Sequence, residues 1–178
     1  DVYKRQLKGR FFRNTMTAEG FRKGLAYFEE AIANAPDYAL AYSGMASCYC
    51  LLSGHGFELL APGDSMPAAK EAVRKAIELD PTLAEPYAFL GITRLKYDWD
   101  WPGAEEAFLR AIELNPSDAQ VRIFYSVYFE ALGQQDEAIR VAEEARAIDP
   151  LSLAVNVNLG WQYLQAGKLG AANRLFES

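Results

Sequence analysis

Small and apolar residues recur at i, i+4 and i+7 in four separate stretches of the chain: Gly24, Phe28 and Ala31; Ala69, Val73 and Ala76; Ala104, Phe108 and Ala111; Ala138, Ala142 and Ala145. That spacing gathers side chains on one side of a helix. Small residues flanking a larger one suit a place where a neighbouring helix crosses closely and one side chain fills the remaining gap. In each stretch a proline follows the last alanine by five residues, at Pro36, Pro81, Pro116 and Pro150. A proline there stops the helix, because its ring removes a donor and pushes the preceding residue out of the α region.

The prolines lie 45, 35 and 34 residues apart. A fixed period in this range marks a repeat architecture, so the shortest spacing gives the unit and the others are that unit with insertions of 11 residues and one. A second apolar helix fits between successive stretches: AYSGMASCYCLL, PYAFLGITRLKY, RIFYSVYFEALG and VNLGWQYLQAG. Each combines an aromatic, a large aliphatic and a small residue, the last at Ala46, Gly91, Ser126 and Gly160. The pattern predicts pairs of antiparallel helices stacked side by side.

These residues resemble the tetratricopeptide repeat (TPR) family. Its 34-residue helix-turn-helix unit carries an aromatic, a Leu-Gly and a Tyr in helix A, an Ala-x3-Phe-x2-Ala face in helix B and a closing Pro. The resemblance covers nearly the whole chain as one array of five units, 1–36, 37–81, 82–116, 117–150 and an incomplete 151–178. It implies an all-α fold, a right-handed α-solenoid of antiparallel helix pairs. The departures are a stretched turn over residues 14–20, a long loop over residues 53–67, and Arg94 and Ala142 in place of usual aromatics. The turn in KYDWDWPGAEEAF is also similar to one in a subset of bacterial TPR arrays that sit behind transcription-regulator, nucleotide-cyclase or Ser/Thr-kinase domains. The resemblance therefore implies a regulatory fragment of a larger bacterial protein.

A stacked solenoid offers an extended concave face, lined in this family mainly by helix A. The family's groove positions fall on Ser43, Ser47 and Cys50, on Glu85, Ala88 and Ile92, on Gln120, Ile123 and Val127, and on Val157, Asn158 and Trp161. The basic residues with which some arrays grip a C-terminal carboxylate are replaced by Ser43, Ser47, Phe89, Gln120 and Phe124. What remains is an apolar lining with scattered amides and hydroxyls, suited to an apolar or amphipathic protein segment with Ile123 and Trp161 as anchors. The alternative is that several of these side chains pack between units. In the last unit Ala171, Ala172, Leu175 and Phe176 form a stripe expected to stand uncovered, so either more repeats follow in a longer parent protein or this end packs against a second copy as a homodimer.

Composition changes this picture little. Over 178 residues the net charge is -6, which disfavours nucleic acid or an anionic membrane as the general partner. Residues 1–25 nevertheless carry seven basic side chains against Asp1 and Glu19, a net +5 that leaves -11 for the remainder. Cys48 and Cys50, two apart on a helix, point to different faces and suit neither a disulfide nor a metal. No stretch approaches the roughly 20 apolar residues of a membrane span, and a cytoplasmic chain is expected.

Candidate chemistry is sparse. Asp98 and Asp100 beside Trp99 and Trp101 could suggest a glycosidase pair, but such carboxylates face each other across a bond at about 5 to 9.5 Å. Asp100 instead stands where a helix N-cap belongs, with Pro102 in the first turn, and the two tryptophans are expected to bury against the adjoining turn. The only histidine, His55, has no nucleophile motif near it, and Phe57, Leu59 and Leu60 in the same loop are expected to fold over the second unit. Neither a phosphate-binding loop nor metal-ligand spacing is present, so no catalytic, cofactor or metal residue is expected. A non-catalytic protein-binding scaffold leads; a small-ligand sensor controlling an attached domain is the alternative, favoured by a closed pocket.

Overall fold

The computed structural model describes residues 1–53 and 60–176. Its helices form five successive pairs, α1 (Val2–Asn14) with α2 (Ala18–Asn34), α3 (Ala39–Leu52) with α4 (Pro62–Leu79), α5 (Ala84–Thr93) with α6 (Trp101–Leu114), α7 (Ala119–Ala131) with α8 (Gln135–Ile148), and α9 (Leu153–Gln165) with α10 (Leu169–Phe176). There is no strand among the described residues. Each pair packs on the next, and the first helices of successive pairs also touch one another.

Local chemistry sets the helix ends. The residues before the four prolines, Ala35, Asp80, Asn115 and Asp149, are all extended, with φ between -134° and -148°, as the proline ring requires. Their amides still donate to the carbonyls of Ala31, Ala76, Ala111 and Ala145. Thr17, Asp100, Asp118 and Ser152 cap the helices that follow them by accepting from free first-turn amides. Asp100 accepts from Gly103 at 3.1 Å, the capping role expected of it.

Four of the turns inside pairs pivot on one left-handed residue: Met16 (φ 50°), Trp99 (φ 57°), Gly133 and Gly167 (both φ 71°). The one-residue insertion of the 35-residue unit is absorbed just before Trp99. There α5 continues as a π-helical turn, Arg94–Asp98, and the amides of Trp99 and Asp100 both reach back to the Arg94 carbonyl. An extra residue thus becomes a bulge at the helix end instead of a longer loop.

The core is a ribbon of linked clusters. Phe28, Ala31 and Cys48 fill the start, a large cluster around Phe89, Phe108, Tyr125, Tyr128 and Phe129 the middle, and Ile139, Leu159 and Leu175 the far end. The alanines that start or close the small-residue faces, Ala31, Ala69, Ala76, Ala104, Ala111, Ala138 and Ala145, are fully buried. Opposite them, glycines meet phenylalanine rings. A Cβ added to Gly91 would fall 2.4 Å from Phe108, one on Gly9 2.6 Å from Phe28, and one on Gly160 2.5 Å from Phe176.

Four expectations are corrected. The first turn is not stretched: α1 stops at Asn14 and α2 starts at Ala18 behind the Thr17 cap, so the additional residues lengthen the helix. The long loop of the second unit is shorter than expected, because α4 begins at Pro62 and runs through Pro67. Trp99 is 69% exposed; its left-handed backbone turns the ring outward, while Trp101 packs on the main cluster. The stripe on α10 is mostly covered, since Ala172 is buried, Leu175 packs with Ile139 and Ala142 of α8 and Leu159 of α9, and Ala171 is partly buried, while Phe176 stays half exposed. His55, Phe57 and Leu59 lie outside the described residues.

Candidate partner-binding groove

The first helices of the pairs line one face of the molecule, and α1, α3, α5, α7 and the start of α9 enclose a cavity of about 540 Å³ there. Its apolar lining comes from Leu40, Ala88, Phe89, Ile123 and Phe124, and its polar lining from Arg10, Arg13, Ser43, Glu85, Asp118 and Gln120. Helix periodicity places them together: residues two, five and nine along each first helix share one side.

A charged network crosses the near end. Arg13 of α1 donates from Nη1 to Glu85 of α5 at 2.5 Å and to Ser47 Oγ at 3.2 Å. Ser43 Oγ donates to the other Glu85 oxygen at 2.7 Å. Burial alone would raise the Glu85 pKa, but the adjacent Arg13 charge, the Ser43 and Arg13 hydrogen bonds and the nearby Arg10 outweigh it and hold the carboxyl below its ordinary value. Asp118 is engaged differently, accepting from the amides of Gln120 and Val121 as the α7 cap.

The anticipated groove residues divide into three groups. Ser43, Glu85, Gln120 and Ile123 line the cavity. Ser47, Cys50 and Ile92 are buried between helices, and Ala88 is buried with one edge on the cavity. Val127, Asn158 and Trp161 lie farther along α7 and α9, where Ser126 Oγ stands 2.9 Å from Asn158 Oδ1 and Trp161 Nε1 donates to Glu130 at 3.1 Å. Glu130 also accepts from Gln162, which is fully buried and receives a bond from Gln135. This clamp fixes an indole that remains 49% exposed, beside Val157 at 48% and Leu153 at 77%.

Arg10, Arg13 and Glu130 were missed by sequence reasoning. The signal was present: Arg10 is the ninth residue of its helix, as Ser47, Ile92, Val127 and Trp161 are of theirs, and Arg13 and Glu130 are the twelfth, as Cys50 is, so carrying both positions through every unit, α1 included, would have found them.

Among the described residues no group of three or more His, Cys, Asp or Glu is placed to hold a metal, and no helix is long and apolar enough to cross a membrane. Both cysteines are free and buried, and burial pushes each thiol up to about 12, so they stay protonated and packed as small apolar groups.

Residues 97–152 match the family described as tetratricopeptide repeat. Similar solved structures include TTC0263, a thermophilic TPR protein of Thermus thermophilus, at TM-score 0.78 and 18% identity over 97% of this chain and 88% of that one. The fold is that of the tetratricopeptide-repeat proteins. MamA is similar at TM-score 0.59 and 22% identity, over 95% of this chain and 90% of that one. YrrB, described as a TPR protein with an unusual peptide-binding site, is similar at TM-score 0.53 and 20% identity, over 94% and 80%. No curated protein sequence matches the chain.

Proposed function

We propose that this TPR array is a non-catalytic scaffold that receives an apolar or amphipathic protein segment along its first-helix face. The observation that carries the reading is the file of exposed apolar side chains Leu153, Val157 and Trp161 on α9, with the Trp161 ring pinned by Glu130, beyond a cavity bordered by Ile123. A rigid aromatic in an apolar surround is the usual anchor of such an interface. The peptide-binding site ascribed to YrrB supports the same use of the fold. The regulatory setting in a larger bacterial protein, and with it the cytoplasmic setting, rests on the resemblance of the Tyr97 to Trp101 turn.

Selection of a randomised peptide display library on the folded chain tests this. Enriched peptides should carry apolar residues at helical spacing and lose about tenfold or more in affinity for Trp161→Ala and Ile123→Glu. Absence of such peptides, or affinities indifferent to both substitutions, overturns it. A small-ligand reading is favoured only by the cavity, whose volume of about 540 Å³ falls in the range of metabolite pockets.

Self-association through the last repeat belongs to the same proposal. Leu151, Leu169 and Phe176 are 93%, 60% and 53% exposed near the far end. Light scattering should show a dimer that Leu169→Lys dissociates; a monomer at all concentrations overturns it.

A further inference from the structure

The α1 end of the groove carries a charge asymmetry that an apolar partner alone does not use. Arg10 is exposed, borders the cavity and forms no ion pair among the described residues. Arg13, one turn on, is 14% exposed along its side chain, and its ionic partner is Glu85, a residue of the array itself. Asp118, the acidic group on the α7 side of the cavity, is occupied by capping. The positive end therefore lies at α1, with apolar floor between it and α7. Charge placed in a water-restricted groove selects partners mainly through its complement.

We propose that Arg10 and Arg13 form a recognition subsite for a carboxylate side chain, Asp or Glu, on the segment the groove receives. Glu85 is the resident counter-ion at this subsite. The incoming carboxylate pairs with Arg10 and competes with Glu85 for Arg13, so Glu85 lowers the affinity for acidic segments and moderates their advantage over uncharged ones. The inference rests on the groove reading above and adds the chemistry and orientation of the occupant, acidic residue toward α1 and apolar residues toward α7 and α9.

The display selection on the folded chain, followed by fluorescence anisotropy with an enriched peptide and its acid-to-amide version, tests it. Enriched sequences should hold an Asp or Glu at fixed spacing from their apolar pair, and converting that acid to the amide should weaken binding about tenfold. Arg10→Gln should weaken the acidic peptide equally and abolish its advantage over the amide version. Glu85→Gln, which keeps an acceptor for Ser43, should tighten the acidic peptide several-fold and leave the amide version unchanged. Circular dichroism confirms that each variant is folded. Apolar peptides without a fixed acid, or Glu85→Gln leaving the acidic peptide unaffected, would overturn the subsite while the groove reading stands. A selection that enriches nothing removes both.

Discussion

Met16 and Trp99 show how much a single residue can be asked to bear. Both hold a left-handed backbone with φ near 50° to 57°, where the equivalent turns use Gly133 and Gly167. A side chain in that region costs about 1–2 kcal/mol, against the roughly 0.5–1 kcal/mol of freedom that glycine loses on folding. Met16→Gly should therefore raise stability by up to about 1 kcal/mol in urea unfolding; a fall would show that the side chain offsets the strain. Glu85 supplies a pH test at the same scale. Its pKa is lowered from the ordinary 4.5, so its ionised pairing contributes stability above that value and loses it as pH falls through the lowered one. The groups facing it are Arg13, Arg10 and Ser43. The stability gap between the chain and Glu85→Gln should be present at pH 7 and shrink as the pH falls below 4.5. An equal gap at pH 3 would mean that the carboxylate charge contributes nothing.

Between helices, one rule of size complementarity governs the pairs. Gly91 faces Phe108, Gly9 faces Phe28 and Gly160 faces Phe176, whereas the same two positions hold Ala46 with Val73 and Ser126 with Ala142 in the other units. A larger side chain in one helix is matched by less in its partner. Gly91→Ala places a methyl against the Phe108 ring and should cost about 1–3 kcal/mol. Phe108→Val opens space and should also destabilise, by about 1–3 kcal/mol. Combined, they recreate the Ala46 and Val73 solution, so the double variant should be at least about 0.5–1 kcal/mol more stable than the sum predicts. Strict additivity in denaturant unfolding would refute the complementarity. The repeat and its proline stops were legible because helix period, small-residue spacing and pre-proline geometry are local. The direction of the Trp99 ring and the start of α4 were not, because each depends on where the chain turns, and a π-helical bulge has no distinct hydrophobic period. In the groove, Ser43 and Glu85 were legible by register, but their engagement by Arg13 was not, because the arginine is 72 residues away from Glu85.

That last contact bears on the whole molecule. In a solenoid each repeat touches its neighbours, and stability is close to a sum of repeat and interface terms. Arg13 with Glu85 departs from this by joining α1 to α5 across α3, anchored on Ser43 and Ser47 of the intervening pair. Ion pairs at an open surface contribute little, but Arg13 is mostly buried, its carboxylate partner is a third exposed, and the bridge has two hydroxyls to hold it. The first three pairs should then unfold more nearly as one unit than the last two. A double-mutant cycle with Arg13→Ala and Glu85→Ala should give a coupling of about 0.5–2 kcal/mol. Hydrogen exchange should show α1 opening more readily in Glu85→Ala, although no residue of α1 has been changed, while α9 is unaffected. Leu159→Ala, at the far end, should loosen α9 and α10 and leave α1 protected. Equal loosening of α1 by both variants would mean that stability is shared along the entire array, and unchanged exchange of α1 in Glu85→Ala would mean that the bridge carries no coupling.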